Sequence, residues 1–289
     1  MADVVTILLQ VFVILFVVGS MLAMGFSLTV GMIVKSLRNW KLDLLAVAAN
    51  FLIVPVVIIG LSYVIPLPSD VKIGFLILSL AAGAPFLPKL TQFAKGDVTF
   101  AVCFMILLMV LTVVILPLAL PLLISGASVS TWSVAQPLIF LMLIPLFVAL
   151  GIRHRYLEFA THAARLLNSV TTLSILALMV LFFVGFANQI EGTIGTGTIS
   201  FSIFFIGFSL VIGYILGGHD KSVKRVAGLG TAQRNISAGL LVSAVDFSSS
   251  PMVGVTVLVI SITGLIVLMV TSGEWGRRSE KVKHLSATP

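Results

Sequence analysis

Charge is what this chain has least of. Lysine, arginine, aspartate and glutamate make up 9% of its 289 residues, against 59% apolar. A soluble domain carries roughly a quarter charged residues because its surface must meet water. With so few, the outer surface has to face lipid. Cysteine is almost missing as well. Cys103 alone excludes a disulfide framework and a cysteine-rich metal site, and inside its apolar run it reads as a small buried hydrophobe. Histidine is absent from the long apolar stretches, since His154, His162, His219 and His284 all fall in loops or the tail. No carboxylate pair or metal-ligand cluster lies within those stretches, which argues against a membrane enzyme and for no metal or other cofactor. Strict alternation of apolar and polar residues is missing too, which argues against a transmembrane barrel.

What is present is apolar length. Mean hydropathy is +1.22, and nine candidate segments run roughly over 4–33, 42–65, 71–94, 98–124, 133–153, 163–189, 199–218, 222–246 and 251–272. Most exceed the ~20 helical residues needed to cross a hydrocarbon core. Turn-forming sequences separate several of them: Pro66-Leu67-Pro68-Ser69, Ser125-Gly126-Ala127, Gly192-Thr193-Ile194-Gly195 and Ser248-Ser249-Ser250-Pro251. No long linker divides the chain, so residues 1–289 read as one domain, an all-α polytopic membrane protein. The first segment carries Asp3 and no basic leader, and reads as a membrane helix rather than a cleaved signal.

The cations sort by loop. Lys35, Arg38 and Lys41 follow segment one; Lys95 follows three; Arg153, Arg155 and Arg165 follow five. Lys221, Lys224 and Arg225 follow seven, and Arg277, Arg278, Lys281 and Lys283 lie in the tail. That is fourteen on one side against Lys72 alone on the other. Loops rich in lysine and arginine stay in the cytoplasm, which predicts an external N-terminus and a cytoplasmic C-terminus in the cell (inner) membrane. The same loops account for the net charge of +7 without invoking a nucleic-acid partner.

Two cations remain, and both fall inside segments: Lys89 and Arg234. A charge at membrane depth costs ~2.5–3.5 kcal/mol on insertion scales and usually faces a cavity or a partner. Lys89 lies six residues from Lys95, ~9 Å along a helix, within reach of snorkelling toward the cytoplasmic end. Arg234 lies nine residues past Arg225, ~13 Å deep and close to the midplane. Around Lys89 the sequence is Ala82-Gly83-Ala84-Pro85-Phe86-Leu87-Pro88, in which Gly83, Pro85 and Pro88 predict a broken helix. Around Arg234 it is Gly228-Leu229-Gly230-Thr231-Ala232-Gln233-Arg234-Asn235, a polar insert in which Gly230 marks the expected break. Interrupted helices in corresponding places of oppositely oriented halves point to an inverted-repeat transporter. Two fixed cations with no acidic partner suit an anion. Arg234 would pair with a carboxylate or sulfonate, Lys89 would add a second charge, and Thr231, Gln233, Asn235 and Asn50 would be neutral partners.

With these residues in view, the chain resembles the bile acid:sodium symporter superfamily. The resemblance rests on Phe93-Ala94-Lys95-Gly96-Asp97-Val98, the Gln233-Arg234-Asn235 block, Gly25-Phe26-Ser27-Leu28 and the Asn50-Phe51 to Pro55 stretch, and it extends over the whole chain. It implies a core domain, here roughly 42–124 and 199–272, with two broken helices crossing near the midplane, and a panel domain, roughly 4–33 and 133–189, followed by a cytoplasmic tail over 273–289. It also implies transport of organic anions, typically with two sodium ions. The sodium ligands, however, do not carry over. Aligned on the Ala94–Asp97 motif, the Ser and Asn of one site become Leu87 and Pro88, and the hydroxyl-rich start of the next helix becomes Cys103-Phe104-Met105-Ile106-Leu107-Leu108. The shared Glu lands near Gly230, a Gln near Arg234, and the glutamine of the second span becomes Asn50. Tethered cations then stand where bound ones would sit. The expectation is a sodium-independent carrier of small organic anions, with an ordinary sodium symporter and a non-transporting receptor on the same fold as alternatives.

The orientation is tested by fusing a reporter active only in the cytoplasm to each end of the chain. Activity is expected at the C-terminus alone, and activity at both ends would overturn the nine-segment reading.

Overall fold

Proline sets where several helices of this protein change course. The computed structural model describes residues 2–29, 31, 40–124, 130–185 and 197–287, and all the regular structure among them is helical. Lys35 and Arg38, the turn at Ser125–Ala127 and the Gly192–Gly195 stretch lie outside the described residues. In chain order the elements are α1 (Ala2–Ser27), α2 (Trp40–Ala48), α3 (Val54–Val64), α4 (Ser69–Leu80), α5 (Leu87–Phe93) and α6 (Val98–Leu123). There follow α7 (Thr131–Leu138), α8 (Ile144–Arg155), α9 (Leu157–Gly185), α10 (Thr198–Leu216), α11 (Lys221–Ala232), α12 (Ile236–Asp246) and α13 (Pro251–Ala287).

Two π turns join neighbouring helices into longer rods. Ala49–Ile53 links α2 to α3, and Ile139–Leu143 links α7 to α8. Each stands just before a proline, Pro55 and Pro145, at the second position of the helix that follows. A proline ring clashes with the carbonyl four residues back and offers it no N–H. Widening the preceding turn to a five-residue spacing relieves that conflict. Accordingly Val54 N–H bonds the Ala49 carbonyl and Ile144 N–H bonds that of Ile139.

Among the described residues, seven spans are long and apolar enough to cross a membrane: 7–27, 41–64, 98–123, 131–155, 157–182, 198–216 and 251–280. They match seven of the nine predicted segments. The other two, 71–94 and 222–246, are the broken pairs α4/α5 and α11/α12, each half too short to span by itself. Large apolar side chains such as Val56, Leu118, Phe147, Val180, Val211 and Ile266 stand exposed on the outside, as a lipid-facing surface requires. The protein is an all-α polytopic membrane protein. Helix α1 packs on α8 and α9, while α13 packs on α4, α10 and α12. Between them Phe75 meets Phe201 with ring centroids 4.6 Å apart, and Leu78, Met105, Met109 and Leu116 are fully buried.

The Ala94–Asp97 motif is a helix stop followed by a helix start. Lys95 N–H bonds the Gln92 carbonyl (3.2 Å) and Gly96 N–H bonds that of Thr91 (3.0 Å), the Schellman pattern that closes a helix through one left-handed residue. That residue is Lys95, at φ +52°. Asp97 then caps α6 by accepting from Phe100 N–H (3.0 Å).

The segment read as a tail from 273 onward continues α13, whose 37 residues make a rod ~55 Å long. Its end is fastened to the rest of the protein. Glu280 pairs with Lys95 at 3.2 Å, Arg225 donates to the Ala94 carbonyl (2.9 Å) and to Ser279, and Trp275 stacks near Tyr214 at 5.5 Å. Gly276 lies directly against the Phe93 carbonyl, where a Cβ would collide with backbone. Gly276→Val is expected to destabilise the protein by about 1–3 kcal/mol, as overpacking does. Thermal unfolding in detergent reads the change, and an unshifted midpoint would mean that this contact does not hold α13 in place.

Candidate functional site

The site is built where α4/α5 and α11/α12 break side by side. Between α4 and α5 the chain runs through Ala81–Phe86 without helix. Gly83 adopts φ +78°, a left-handed conformation that glycine takes without strain. A Cβ there would strike the backbone of Met109 on α6. Pro85 lies in the turn, and Pro88 occupies the first turn of α5, where its missing N–H costs nothing. The second break falls at Gln233-Arg234-Asn235. Gly230, the expected break, is instead inside α11. Its role is close packing: a Cβ would come within 2.6 Å of the Phe104 ring and 2.8 Å of Leu87.

Unwound backbone at membrane depth must find partners within the protein, and each break supplies them to the other. Asn235 N–H donates to the Ala81 carbonyl (2.9 Å). Its side-chain amide donates to the Gly83 carbonyl (3.2 Å), while its Oδ1 caps α12 by accepting from Ala238 N–H (3.1 Å). Thr112 on α6 completes the set. It accepts from Ala82 N–H (2.8 Å) and donates to the Ala82 carbonyl (3.0 Å).

Arg234 reaches into the same cluster and is only 5% exposed. Its Nη1 donates to the Ser79 carbonyl in the last turn of α4 (3.2 Å) and to Asn50 Oδ1 (3.5 Å), and its Nη2 donates to Ser209 Oγ on α10 (3.2 Å). The Phe205 ring centroid lies 5.2 Å from its guanidinium carbon, close enough for a cation–π contact. Among the described residues no carboxylate pairs with it. Its compensation comes from neutral oxygens and from the carbonyl end of α4, where the helix dipole favours a cation. Asn50, buried in the first π turn, also donates to Thr231 Oγ1 (3.1 Å) and to the Ala46 carbonyl (3.0 Å). Arg234 Nε and Gln233 Oε1 are buried without a hydrogen-bond partner among the described residues, so the break keeps spare hydrogen-bonding capacity.

Of the predicted residues, the structure brings Arg234, Asn235, Thr231 and Asn50 into one network and sets Gln233 at its edge. Lys89 is not part of it. Its side chain is exposed and lies over the Phe93 ring, 5.7 Å from the centroid, the direction expected of a lysine snorkelling from a helix end.

Two small cavities lie beside the second broken helix, one along α12 and one along α11. One, of about 50 Å³, lies between α1, α9, α12 and α13 and is lined by Gln10, Val13, Phe182, Leu240, Ser243 and Phe247. The other, of about 10 Å³, is lined by Leu42, Ala46, Phe100, Phe104, Gly213 and Thr231. These volumes hold water molecules rather than an organic solute. Ser20 of α1 and Ser237 at the start of α12 meet at 3.3 Å, joining the broken helix to the first one.

A family model matches residues 2–273, nearly the whole chain, and it describes the SBF-like CPA transporter family. The chain belongs to that family. No curated protein matches it. Membership in this bile acid:sodium symporter-type family agrees with the resemblance carried by the Ala94–Asp97 motif, and it makes the protein one of a family of transporters. In this member of the family, sequence reasoning missed Ser79, Ser209, Thr112 and Phe205. Ser209 and Thr112 are polar residues isolated in apolar spans, a signal that was available. Ser79 offers Arg234 its main-chain carbonyl, which no residue type announces.

Asn235→Ala would leave the Gly83 carbonyl and the Ala238 N–H unpaired in a buried site. A loss of about 2–4 kcal/mol in stability is expected. Asn235→Asp, which keeps the cap but cannot donate to Gly83, should fall between the two in thermal unfolding. Equal midpoints for all three proteins would show that the crossing does not depend on this side chain.

Proposed function

We propose that this transporter carries small organic anions by alternating access and without sodium. The observation that carries the reading is Arg234: a buried cation at the crossing, held by neutral oxygens and by no acid among the described residues. Helix α12 begins two residues on, at Ile236, so its N-terminal dipole end adds positive potential beside the carbonyl end of α4 that Arg234 offsets. Acting on an anion ~8 Å away at an effective dielectric of about 20, a unit charge contributes ~2 kcal/mol. Lys89 adds a second positive charge from the end of the α4/α5 pair assigned to the cytoplasm. Buried as it is, Arg234 acts through its field; a carboxylate or sulfonate would approach Gln233 and the break as panel and core part.

Oxygens at the breaks that could serve sodium already carry hydrogen bonds within the protein, which would compete with an ion for them. The Ala81 and Gly83 carbonyls accept from Asn235, that of Ser79 accepts from Arg234, and Thr112 is bonded to Ala82. A sodium ion at ~4 Å from the guanidinium would also meet ~4 kcal/mol of repulsion at an effective dielectric of 20. The panel, α1 with α7 to α9, and the core, α2 to α6 with α10 to α13, would move against each other along the surface where Ser20 now meets Ser237.

The test begins with purified protein screened by thermal shift against small carboxylates and sulfonates. Uptake of the best binder into proteoliposomes is then compared in sodium and in choline at matched ionic strength, because salt alone screens charge. Equal uptake is expected, and Arg234→Gln should weaken binding roughly thirtyfold, the equivalent of the ~2 kcal/mol above. A saturable sodium-specific gain would instead make the protein a sodium symporter.

A further inference from the structure

The partners of Arg234 form an arrangement of their own. Three oxygens surround the guanidinium: the Ser79 carbonyl from α4 at 3.2 Å, Ser209 Oγ from α10 at 3.2 Å, and Asn50 Oδ1 from the π turn between α2 and α3 at 3.5 Å. The Phe205 ring closes a fourth side at 5.2 Å. Ser79, Ser209 and Asn50 are each fully buried, and each belongs to a different element. Their oxygens therefore meet at this point because of the tertiary fold rather than because of local chain geometry. Asn50 is further oriented by its own amide, which donates to Thr231 and Ala46. That leaves Oδ1 as the atom turned to the cation.

We infer that these residues constitute a site for a planar organic cation of the guanidinium class, which the protein fills with its own Arg234, and that Arg234 is a positioning residue: it joins α4, α10 and the π turn to the crossing. The inference deepens the proposed function and rests on its reading of Arg234 as a resident cation. The chemistry of the ring selects the class. The two bonds of 3.2 Å lie within the range of N–H donors and that of 3.5 Å is a weaker contact, while three neutral oxygens are fewer than a hard metal cation requires. An aromatic face beside the oxygens favours a weakly hydrated, delocalised cation over a compact, strongly hydrated one. Removing the side chain beyond Cβ should then leave a vacant, oxygen-lined hole, which a free guanidinium compound can refill.

The experiment uses the full chain in lipid nanodiscs and needs no transported substrate. Wild type and Arg234→Ala are melted in increasing methylguanidinium chloride, with choline, sodium and potassium chlorides as arms of equal ionic strength. Arg234→Ala is expected to melt below wild type. Guanidinium salts lower the stability of any protein, so the reading is relative to wild type in the same salt, and on that scale methylguanidinium should raise the midpoint of Arg234→Ala saturably by roughly 2–4 °C. Adding Ser209→Ala to Arg234→Ala should raise the concentration needed by about tenfold, the worth of one hydrogen bond to a charged group. An equal response of wild type and Arg234→Ala to methylguanidinium overturns the inference, as does a rescue by sodium or potassium that methylguanidinium does not give. If Arg234→Ala does not fold, Arg234→Lys and Arg234→Gln replace it. Lysine, a compact ammonium without the planar fork, should melt below wild type and glutamine no higher, whereas a lysine midpoint equal to that of wild type overturns the guanidinium class. A sodium requirement in wild-type uptake would sink the sodium-free reading and leave these melting curves as they are, so the two failures are distinguishable.

Discussion

One hydrogen bond organises the centre of this protein, that from the Asn235 N–H to the Ala81 carbonyl. A helix can be interrupted inside a membrane only if the freed backbone groups find partners there, since each unsatisfied group costs several kcal/mol. Here each interruption is the other's partner. The sequences of both breaks are shaped by that constraint: glycine at 83 for the left-handed turn, asparagine at 235 to bond a carbonyl and cap a helix at once, and threonine at 112 to serve both groups of Ala82. Neither broken helix could adopt its conformation alone.

The placement of the buried charge follows from the same geometry. A helix that stops at mid-depth leaves its last carbonyls facing inward, and their partial negative charge has to be met. Arg234 meets it at the end of α4. An acid is not required for this purpose, and among the described residues none pairs with it. The insertion cost of the arginine and the exposed carbonyl end of the helix are thus two unfavourable terms that offset each other.

Much of the helical architecture could be read from the chain, because lipid imposes a strong and simple rule on composition and length. The positions of Pro85 and Pro88 marked the first break directly, since proline acts locally through its ring and its missing N–H. The second break was harder to place. Gly230 looked like the interruption, yet its lack of a side chain answers to the Phe104 ring packed against it, and a helix tolerates a glycine whose space another element fills. In sequence Lys89 stood within snorkelling reach of a helix end and Arg234 nearer the midplane, yet both read as anion-site cations. The fold separates them, as the side chain of one runs out over Phe93 while that of the other is enclosed by three helical elements. The π turns belong to the same class of feature. Pro55 and Pro145 were visible, but whether a helix answers a proline by kinking or by widening its preceding turn depends on what packs around it.

The length of α13 has a mechanical consequence. Its turns over 276–280 are tied to Phe93 at the end of α5, to Lys95 just beyond it and to Arg225 in α11, the near halves of both interrupted helices. Those two pieces have only seven and twelve residues, short rods if they stood alone. Splinted to a helix of 37 residues, they share its stiffness. Because α13 also packs on α4 and α12, one rod runs along both halves of each interrupted helix. Bending at the crossing is then left to the few residues of each break, around Gly83 and Arg234.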